Sequence, residues 1–249
     1  MKDLLYINYP EITRINANII NKKFNNNKTE ILLDRTIFTL DDDRLKNDQG
    51  YISSLKVLNV YQRNGKTVHL VEGKPNKNQV ELILNEDIRF HNLYYNTAFI
   101  LLELVLKNFY NIKQSKLKLY KSYGQMIISD FFVDFDKHQV EESINNLINL
   151  GLKIENNGSI KKIKSIGEIR NSDISFKSTS DIYGIHIFRY NIIGDGLILE
   201  FITGKDFLEF NKSNFDLINT IEKLATSDDI SSNKITKIIS AIKNNKYSK

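Results

Sequence analysis

The sequence contains no cysteine, two prolines and four histidines among its 249 residues. The absence of cysteine excludes disulfide bonds, thiolate metal ligands and a cysteine nucleophile. No run approaches the roughly 18 consecutive apolar residues that a membrane-spanning helix needs. The N-terminus also lacks the charged, apolar and cleavage regions of a secretory signal. We therefore expect a soluble, cytoplasmic protein with no membrane partner.

Apolar residues are nevertheless abundant enough to form a core. They make up 41% of the chain, and aromatic residues make up 10%. A chain of this length can form one large domain or two modest ones. The net charge is +5, from 35 basic and 30 acidic side chains. This charge permits a polyanionic partner without requiring one.

The first third of the chain has the pattern of an antiparallel β-structure. Short β-prone runs alternate with polar turns, and Asn64-Gly65 between two such runs is a strong hairpin signal. We predict strands at residues 30–33, 36–38, 51–61, 67–71 and 79–84. These strands indicate a small antiparallel β-barrel over residues 1–89.

The pattern changes near residue 92. Apolar residues at helical spacing predict a helix over residues 92–110. We predict a second helix that begins after Asp136 as N-cap and ends at Leu150-Gly151. Further strands are predicted at residues 126–128, 131–135, 152–155, 161–166, 182–190 and 197–202. The fold class is therefore α+β, with an α+β domain over residues 90–204 and a helical extension over residues 205–249, in which Ser231 or Ser232 caps the last helix.

One predicted helix carries a recognisable motif. Asn96-Thr97-Ala98-Phe99-Ile100-Leu101-Leu102 resembles the His-Thr-Ala-x-His-Leu-Leu helix of alanyl-tRNA editing proteins. Further matches follow in the family's order: Leu33-Asp34-Arg35-Thr36-Ile37-Phe38, Asp48-Gln49-Gly50-Tyr51-Ile52, His69-Leu70-Val71-Glu72-Gly73, Ser165-Ile166-Gly167-Glu168 and Ile202-Thr203-Gly204. The chain thus resembles the editing region of alanyl-tRNA synthetases and their freestanding relatives. The resemblance implies a domain like the second additional domain of threonyl- and alanyl-tRNA synthetases.

The resemblance also implies a zinc site, and the chain departs from the family there. The two helix histidines correspond to Asn96 and Ile100. The family's Cys-x-x-x-His pair corresponds to Asn171 and Ser175 in the alignment we prefer, whereas an alternative alignment places His186 at the histidine position. Amide and hydroxyl oxygens are poor zinc ligands, and an aliphatic side chain is none. We therefore expect no bound metal or cofactor and no zinc-dependent deacylation.

A metal-free reaction is an alternative. The family's Gly-Gly-Gly-Gln loop corresponds to Asp42-Asp43-Arg44-Leu45, and Asp41, Asp42 or Asp43 can act as general base while Asn96 or Asn171 stabilises an oxyanion. The same carboxylates also suit a solvated acidic turn, which we favour. The candidate pocket comprises Arg35, Thr36, Asp42, Asp43 and Thr97.

A lysine cluster is the candidate tRNA contact. Lys113, Lys116, Lys118 and Lys121 alternate with Leu117, Leu119 and Tyr120, and such a cluster can neutralise phosphates. An ordinary lysine-rich surface is the alternative. Three functions remain open: a tRNA- or aminoacyl-binding protein without the zinc site, a divergent metal-independent aminoacyl-tRNA deacylase, and an oligomerising or regulatory protein that does not bind RNA.

Overall fold

The computed structural model describes residues 3–40, 44–225, 236–237 and 239–240. Six N-terminal strands form a closed antiparallel barrel, as predicted, but the predicted strand over residues 36–38 is a two-residue strand outside it. A short segment precedes it, with strand β1 (Asp3–Leu4) and the one-turn helix α1 (Leu5–Asn8). β1 pairs in parallel with β4 (Arg35–Thr36). The barrel strands are β2 (Arg14–Asn25), β3 (Lys28–Leu33), β5 (Gly50–Ile52), β6 (Leu55–Arg63), β7 (Lys66–Glu72) and β8 (Gln79–Leu84). Their order around the barrel is β2-β3-β7-β6-β5-β8.

Two features of the barrel differ from the sequence prediction. The predicted strand over residues 51–61 is two strands, because Ser53 adopts a left-handed conformation (φ 56°) and the chain turns back between β5 and β6. β2 was missed altogether. Its first half alternates polar residues with Ile15, Ala17 and Ile19, but most of its side chains are exposed and many are Asn or Lys.

The long helix α2 (Glu86–Tyr110) lies at the centre of the rest of the molecule. The Asn85 side chain caps its first turn by accepting a hydrogen bond of 3.2 Å from the amide of Ile88. The helix therefore begins six residues before the predicted start. Every residue from Asn92 to Leu106 is buried, since α2 packs against other elements on several sides.

The remaining elements are β9 (Ser115–Leu119), β10 (Gly124–Ile128), α3 (Lys137–Asn149), β11 (Ile154–Asn157), β12 (Ile160–Ile163), β13 (Gly167–Arg170), a 3₁₀ turn (Thr179–Ile182), β14 (Ile185–Ile193), β15 (Gly196–Thr203) and α4 (Gly204–Ala225). A four-stranded antiparallel sheet covers one side of α2, in the order β14-β15-β10-β9. A three-stranded sheet, in the order β11-β12-β13, contacts α2 through β13. The predicted α+β class with an N-terminal barrel is confirmed.

Some local sequence signals in this half match the structure and others do not. Asp136 caps α3 as predicted, accepting a hydrogen bond of 3.0 Å from the amide of Gln139, and Gly151 follows the helix with φ 60°. The predicted strand at residues 131–135 is wrong. Phe131 and Phe135 are buried in an irregular segment, so their apolar character reflects packing rather than pairing. β9 and β13 were missed as strands. The predicted C-terminal extension begins as a helix, since α4 covers it from residue 205 to residue 225, whereas Ser231 and Ser232 lie outside the described residues.

A buried ion pair joins the barrel to α2. Arg89 donates to both carboxylate oxygens of Asp48, at 3.1 and 2.5 Å, and to the carbonyl oxygens of Pro10 and Ile37, at 2.9 and 2.6 Å. Both charged side chains are almost completely buried. Paired charges with satisfied hydrogen bonds are the form in which charge is tolerated in a core.

In the part of the chain that the structure describes, no helix combines the length and apolarity that crossing a membrane requires.

Candidate functional site

The structure brings Asn96 and Asn171 together in the interior. Asn96 Nδ2 donates to Asn171 Oδ1 at 3.2 Å, and Asn171 Nδ2 donates back to Asn96 Oδ1 at 2.9 Å. Asn96 Nδ2 also donates to the carbonyl oxygen of Ile174 at 2.8 Å, and the amide of Asp173 donates to Asn171 Oδ1 at 3.0 Å. This amide pair, Asn96 with Asn171, links the middle of α2 to the segment that follows β13.

Ile100 and Ser175 are the other two positions at which the resemblance places zinc ligands, and neither belongs to the amide pair. Ile100 is fully buried in the core and has no donor atom. Ser175 is 7% exposed. The amide pair already uses both carboxamides in mutual hydrogen bonds, so these four side chains do not fit a zinc ion. Within the described ranges, no three His, Asp or Glu side chains converge as a metal site would require.

A cavity of about 750 Å³ opens beside the amide pair. α2 contributes one wall, with Asn96, Phe99 and Glu103, and the segment from Lys113 to Leu117 contributes another. Asn171 and Asp173 line it on the side of the amide pair. A space of this size lies in the range of small-molecule and cofactor pockets.

Basic side chains outnumber acidic ones in the lining of this cavity. Five basic side chains line it against two acidic ones: Arg44, Lys107, Lys113, Lys116 and Arg170 against Glu103 and Asp173. Lys107 pairs with Glu103 at 2.7 Å, and Arg44 pairs with Asp173 at 2.9 Å. The surplus positive charge comes from Lys113, Lys116 and Arg170. Such a surplus favours an anionic ligand.

Arg44 stands between this cavity and a second one of about 350 Å³, because it lines both. Its guanidinium donates to the hydroxyl of Ser172 at 2.9 Å as well as pairing with Asp173. The smaller cavity is also lined by Ser175 and by Tyr6, whose pKa is raised chiefly by burial. The positions aligned with the family's second ligand pair thus face two different cavities.

The candidate pocket residues on the barrel side include Thr36 and Arg35, of which Thr36 is buried and hydrogen-bonded within the barrel. The Thr36 hydroxyl is buried, accepts from the amide of Phe38 at 3.1 Å and lies 2.8 Å from His69 Nε2. His69 Nδ1 faces the Ile31 carbonyl oxygen at 3.4 Å, which can only accept, so Nδ1 carries the hydrogen and Nε2 accepts from Thr36. Arg35 is exposed. Asp41, Asp42 and Asp43 lie outside the described residues.

Thr97 is buried beside the amide pair on α2. Its hydroxyl accepts a hydrogen bond of 2.9 Å from the amide of Phe176. It therefore fixes the segment after Asn171 against the helix. His186, the alternative ligand position, is engaged elsewhere: its Nδ1 lies 3.1 Å from Glu141 and its ring stacks on Phe210 with centroids 4.5 Å apart. These contacts hold β14 to α3 and α4.

The candidate tRNA lysines lie along one edge of the molecule. Lys113 and Lys116 line the large cavity. Lys118 projects from the same exposed face of β9 as Lys116, and Lys121 is exposed in the turn that follows β9. The structure thus distributes the cluster between the cavity and the surface next to it.

Sequence reasoning did not identify Lys161 as a buried cation. Lys161 is 1% exposed, and burial lowers the pKa of its amine to about 8, opposed by the nearby Asp173 carboxylate. Its neighbour Lys162 on β12 is exposed, as the strand alternation requires. Two consecutive lysines give no signal as to which one faces inward.

Comparison with known proteins gives one informative similarity. No family model matches the chain. The chain is 25% identical over 137 residues to "Alanyl-tRNA editing protein AlaX-L" of Pyrococcus horikoshii. The matched segment is 52% of this chain and 34% of that protein, so the similarity covers about a third of the relative's length. It suggests the editing family, in agreement with the motif order in the sequence.

Proposed function

We propose that this chain is an alanyl-tRNA editing-like protein that binds the aminoacylated 3′ end of a tRNA without performing zinc-dependent hydrolysis. The observation that carries the proposal is the basic cavity placed directly against Asn96 and Asn171. This is where the family resemblance puts the reactive centre. The similarity to an alanyl-tRNA editing protein supports tRNA as the partner.

The charge of the cavity suits the end of a nucleic acid strand. Lys113, Lys116 and Arg170 form no ion pair with another described residue and are exposed, so they are available to phosphate oxygens. Phe99 and Ile127 supply apolar surface in the same cavity. Phosphate contacts give affinity and apolar contacts position the terminal groups.

The chemistry at the amide pair differs from metal catalysis. A zinc-bound water needs anionic or imidazole ligands that hold the metal and leave one position open. Asn96 and Asn171 instead satisfy each other, and Ile100 contributes only bulk. In this proposal the amide pair forms a neutral polar surface of the cavity.

Binding of an RNA hairpin with a single-stranded 3′ overhang tests the proposal. We expect the double variant Lys113→Glu/Arg170→Glu to bind more weakly, with the salt dependence of log Kd reduced by about 1 to 2 because about two phosphate contacts are lost. Lys56→Glu, on an exposed barrel position, is the matched control. A double variant that binds like the control would contradict the proposal.

The absence of zinc chemistry is tested separately. We expect purified protein to contain less than stoichiometric zinc by metal analysis, and mischarged alanyl-tRNA to persist in its presence. Turnover that survives a chelator but is lost in Asn96→Ala would favour a metal-independent deacylase instead. Stoichiometric zinc that is lost in Asn96→Ala would contradict the proposal.

A further inference from the structure

In the described part of the chain, the four-stranded sheet has a buried face and an open, partly exposed face, which α4 contacts at one end where Phe210 stacks on His186. Its inward face carries fully buried residues such as Met126, Leu199 and Phe201. The outward face of the edge strand β9 carries Lys116 and Lys118, both exposed. Strand alternation places the outward residues of the neighbouring strands beside them.

Two cross-strand rows make up this open face. One row consists of Lys118, Gln125, Glu200 and Arg189. The other consists of Lys116, Ile127, Ile198 and Asn191. Within the first row the Glu200 carboxylate is compensated, since Gln125 donates to it at 3.1 Å and Arg189 pairs with it at 3.2 Å. The lysine edge of the face therefore keeps its positive charge.

The open face is continuous with the basic cavity. Lys116 and Ile127 belong to the second row and also line the cavity, together with Ser129 at the end of β10. A nucleic-acid strand that leaves the cavity along β9 therefore reaches Lys118 next. The four residue steps from Lys116 to Tyr120 span about 13 Å along the β-strand.

An aromatic pair lies at the far end of this path. The rings of Tyr120 and Tyr123 stack with centroids 4.4 Å apart and planes inclined by 9°. The turn between β9 and β10 holds them, since the Tyr120 amide donates to the Tyr123 carbonyl oxygen at 2.9 Å. Phe188 of β14 contacts Tyr123 edge-on at 5.8 Å. Both tyrosines are partly exposed.

Positive charge surrounds the same pair. The Lys118 ammonium lies 5.1 Å from the centre of the Tyr120 ring. Lys121 is exposed within the turn, and Lys46 donates to the Tyr120 carbonyl oxygen at 3.1 Å. Aromatic rings interleaved with lysines along an exposed strand are the arrangement with which proteins bind single-stranded nucleic acid.

We propose that the open sheet face from Lys116 to the Tyr120–Tyr123 pair binds the unpaired nucleotides that precede the 3′ terminus, with a base stacked on the tyrosine pair. The direction in which the RNA runs along this face rests on the proposed function, in which the cavity holds the 3′ end. Recognition is by ring stacking and phosphate charge, so it tolerates different bases.

A simpler account explains the lysines but not the tyrosines. Lysines on an edge strand prevent pairing with the edge of another chain. That role needs no aromatic surface beside them, and it predicts that replacing the tyrosines leaves RNA affinity unchanged. The two accounts therefore differ in one measurable quantity.

Fluorescence anisotropy with a labelled eight-nucleotide single-stranded RNA tests the proposal. We expect the double variant Tyr120→Leu/Tyr123→Leu to bind about five-fold to a hundred-fold more weakly. The double variant Tyr120→Phe/Tyr123→Phe keeps both rings and should bind within about two-fold of the parent. Tyr51→Leu, on the exposed side of the barrel, is the matched control.

The outcomes separate this proposal from the proposed function. If the leucine variant binds like the parent, the stacking site is wrong while the cavity proposal stands. If the leucine variant weakens binding but Lys113→Glu/Arg170→Glu does not, the stacking site stands and the cavity proposal is wrong. Loss of binding in the phenylalanine variant as well would also overturn stacking, because the rings are still present.

Discussion

Asn96 and Asn171 hold each other through two hydrogen bonds although 75 residues separate them in the chain. Both side chains are at most 5% exposed. Removing one carboxamide leaves the other buried without its partner. We expect Asn96→Ala and Asn171→Ala each to lower the free energy of unfolding by about 1–3 kcal/mol.

Urea denaturation of the two single variants and the double variant measures this coupling. Because the partners act together, the double variant should lose less than the sum of the single losses. Asn59→Ala, on an exposed position of β6, serves as the control and should change little. Additive losses would show that the two amides contribute independently.

Restoring the family's ligands tests the preferred alignment. We expect the combined variant Asn96→His, Ile100→His, Asn171→Cys and Ser175→His to bind one zinc ion per chain, because imidazole and thiolate are the ligands that zinc prefers. Metal analysis after dialysis measures the stoichiometry. Adding His186→Ala to this variant should leave zinc binding intact, and its loss would instead favour the alternative alignment.

Acid should destabilise the protein through His91. Burial, and then the neighbouring Lys46 ammonium, lower the pKa of His91 from 6.5 to about 4. Between these values the unfolded chain binds a proton that the folded chain excludes, so this contribution to stability is present above pH 6.5 and is lost as the pH falls towards 4.

The variant His91→Phe isolates this contribution. It keeps an aromatic ring against Tyr95, whose ring centroid lies 4.5 Å from that of His91. The difference in free energy of unfolding between variant and parent should shift in favour of the variant between pH 6.5 and 4. Parallel pH profiles for the two proteins would contradict the assignment to His91.

The buried charge of Lys161 should lower the free energy of unfolding at neutral pH. Its lowered pKa of about 8 means that the unfolded chain binds more protons between about pH 8 and 10.5, so the parent's stability rises with pH across this window. We expect Lys161→Met to raise the free energy of unfolding by about 1–3 kcal/mol at pH 7, since an apolar side chain replaces a buried charge.

The gain in free energy of unfolding from Lys161→Met should shrink as the pH rises from 8 to 10.5. Above this window the amine of the parent is neutral in both the folded and the unfolded state. Urea denaturation at several pH values measures it. Lys162→Met, at the exposed neighbouring position, is the control and should show no such pH dependence. A destabilised Lys161→Met protein would mean that the electrostatic attraction to the Asp173 carboxylate outweighs the cost of burial.

The sequence predicted the elements whose signals are local. The cap at Asp136 depends on residues within one helical turn, and the Asn64-Gly65 hairpin depends on its own turn. β2 and β9 were not predicted because many of their residues are Lys or Asn, although each strand pairs with the next one in the chain. Burial of Lys161 was also beyond reach, since it depends on which face of β12 the tertiary structure covers.

For the site, the sequence indicated which residues to examine but not how they interact. Alignment to a family motif selected Asn96 and Asn171, and the structure places them in contact. It did not indicate that their amides bond reciprocally or that Arg44 would separate two cavities. Such contacts depend on side-chain geometry between segments more than 70 residues apart.

Arg89 also bears on how this protein can be divided for experiments. It is the last residue of the predicted barrel segment, yet its backbone belongs to α2 and its guanidinium bonds to Pro10, Ile37 and Asp48. A cut after residue 89 would leave the barrel fragment without the helix that orients this side chain. A fragment that starts at residue 90 would lose the first turn of α2 and its Asn85 cap. Expression trials should therefore keep both halves on one polypeptide.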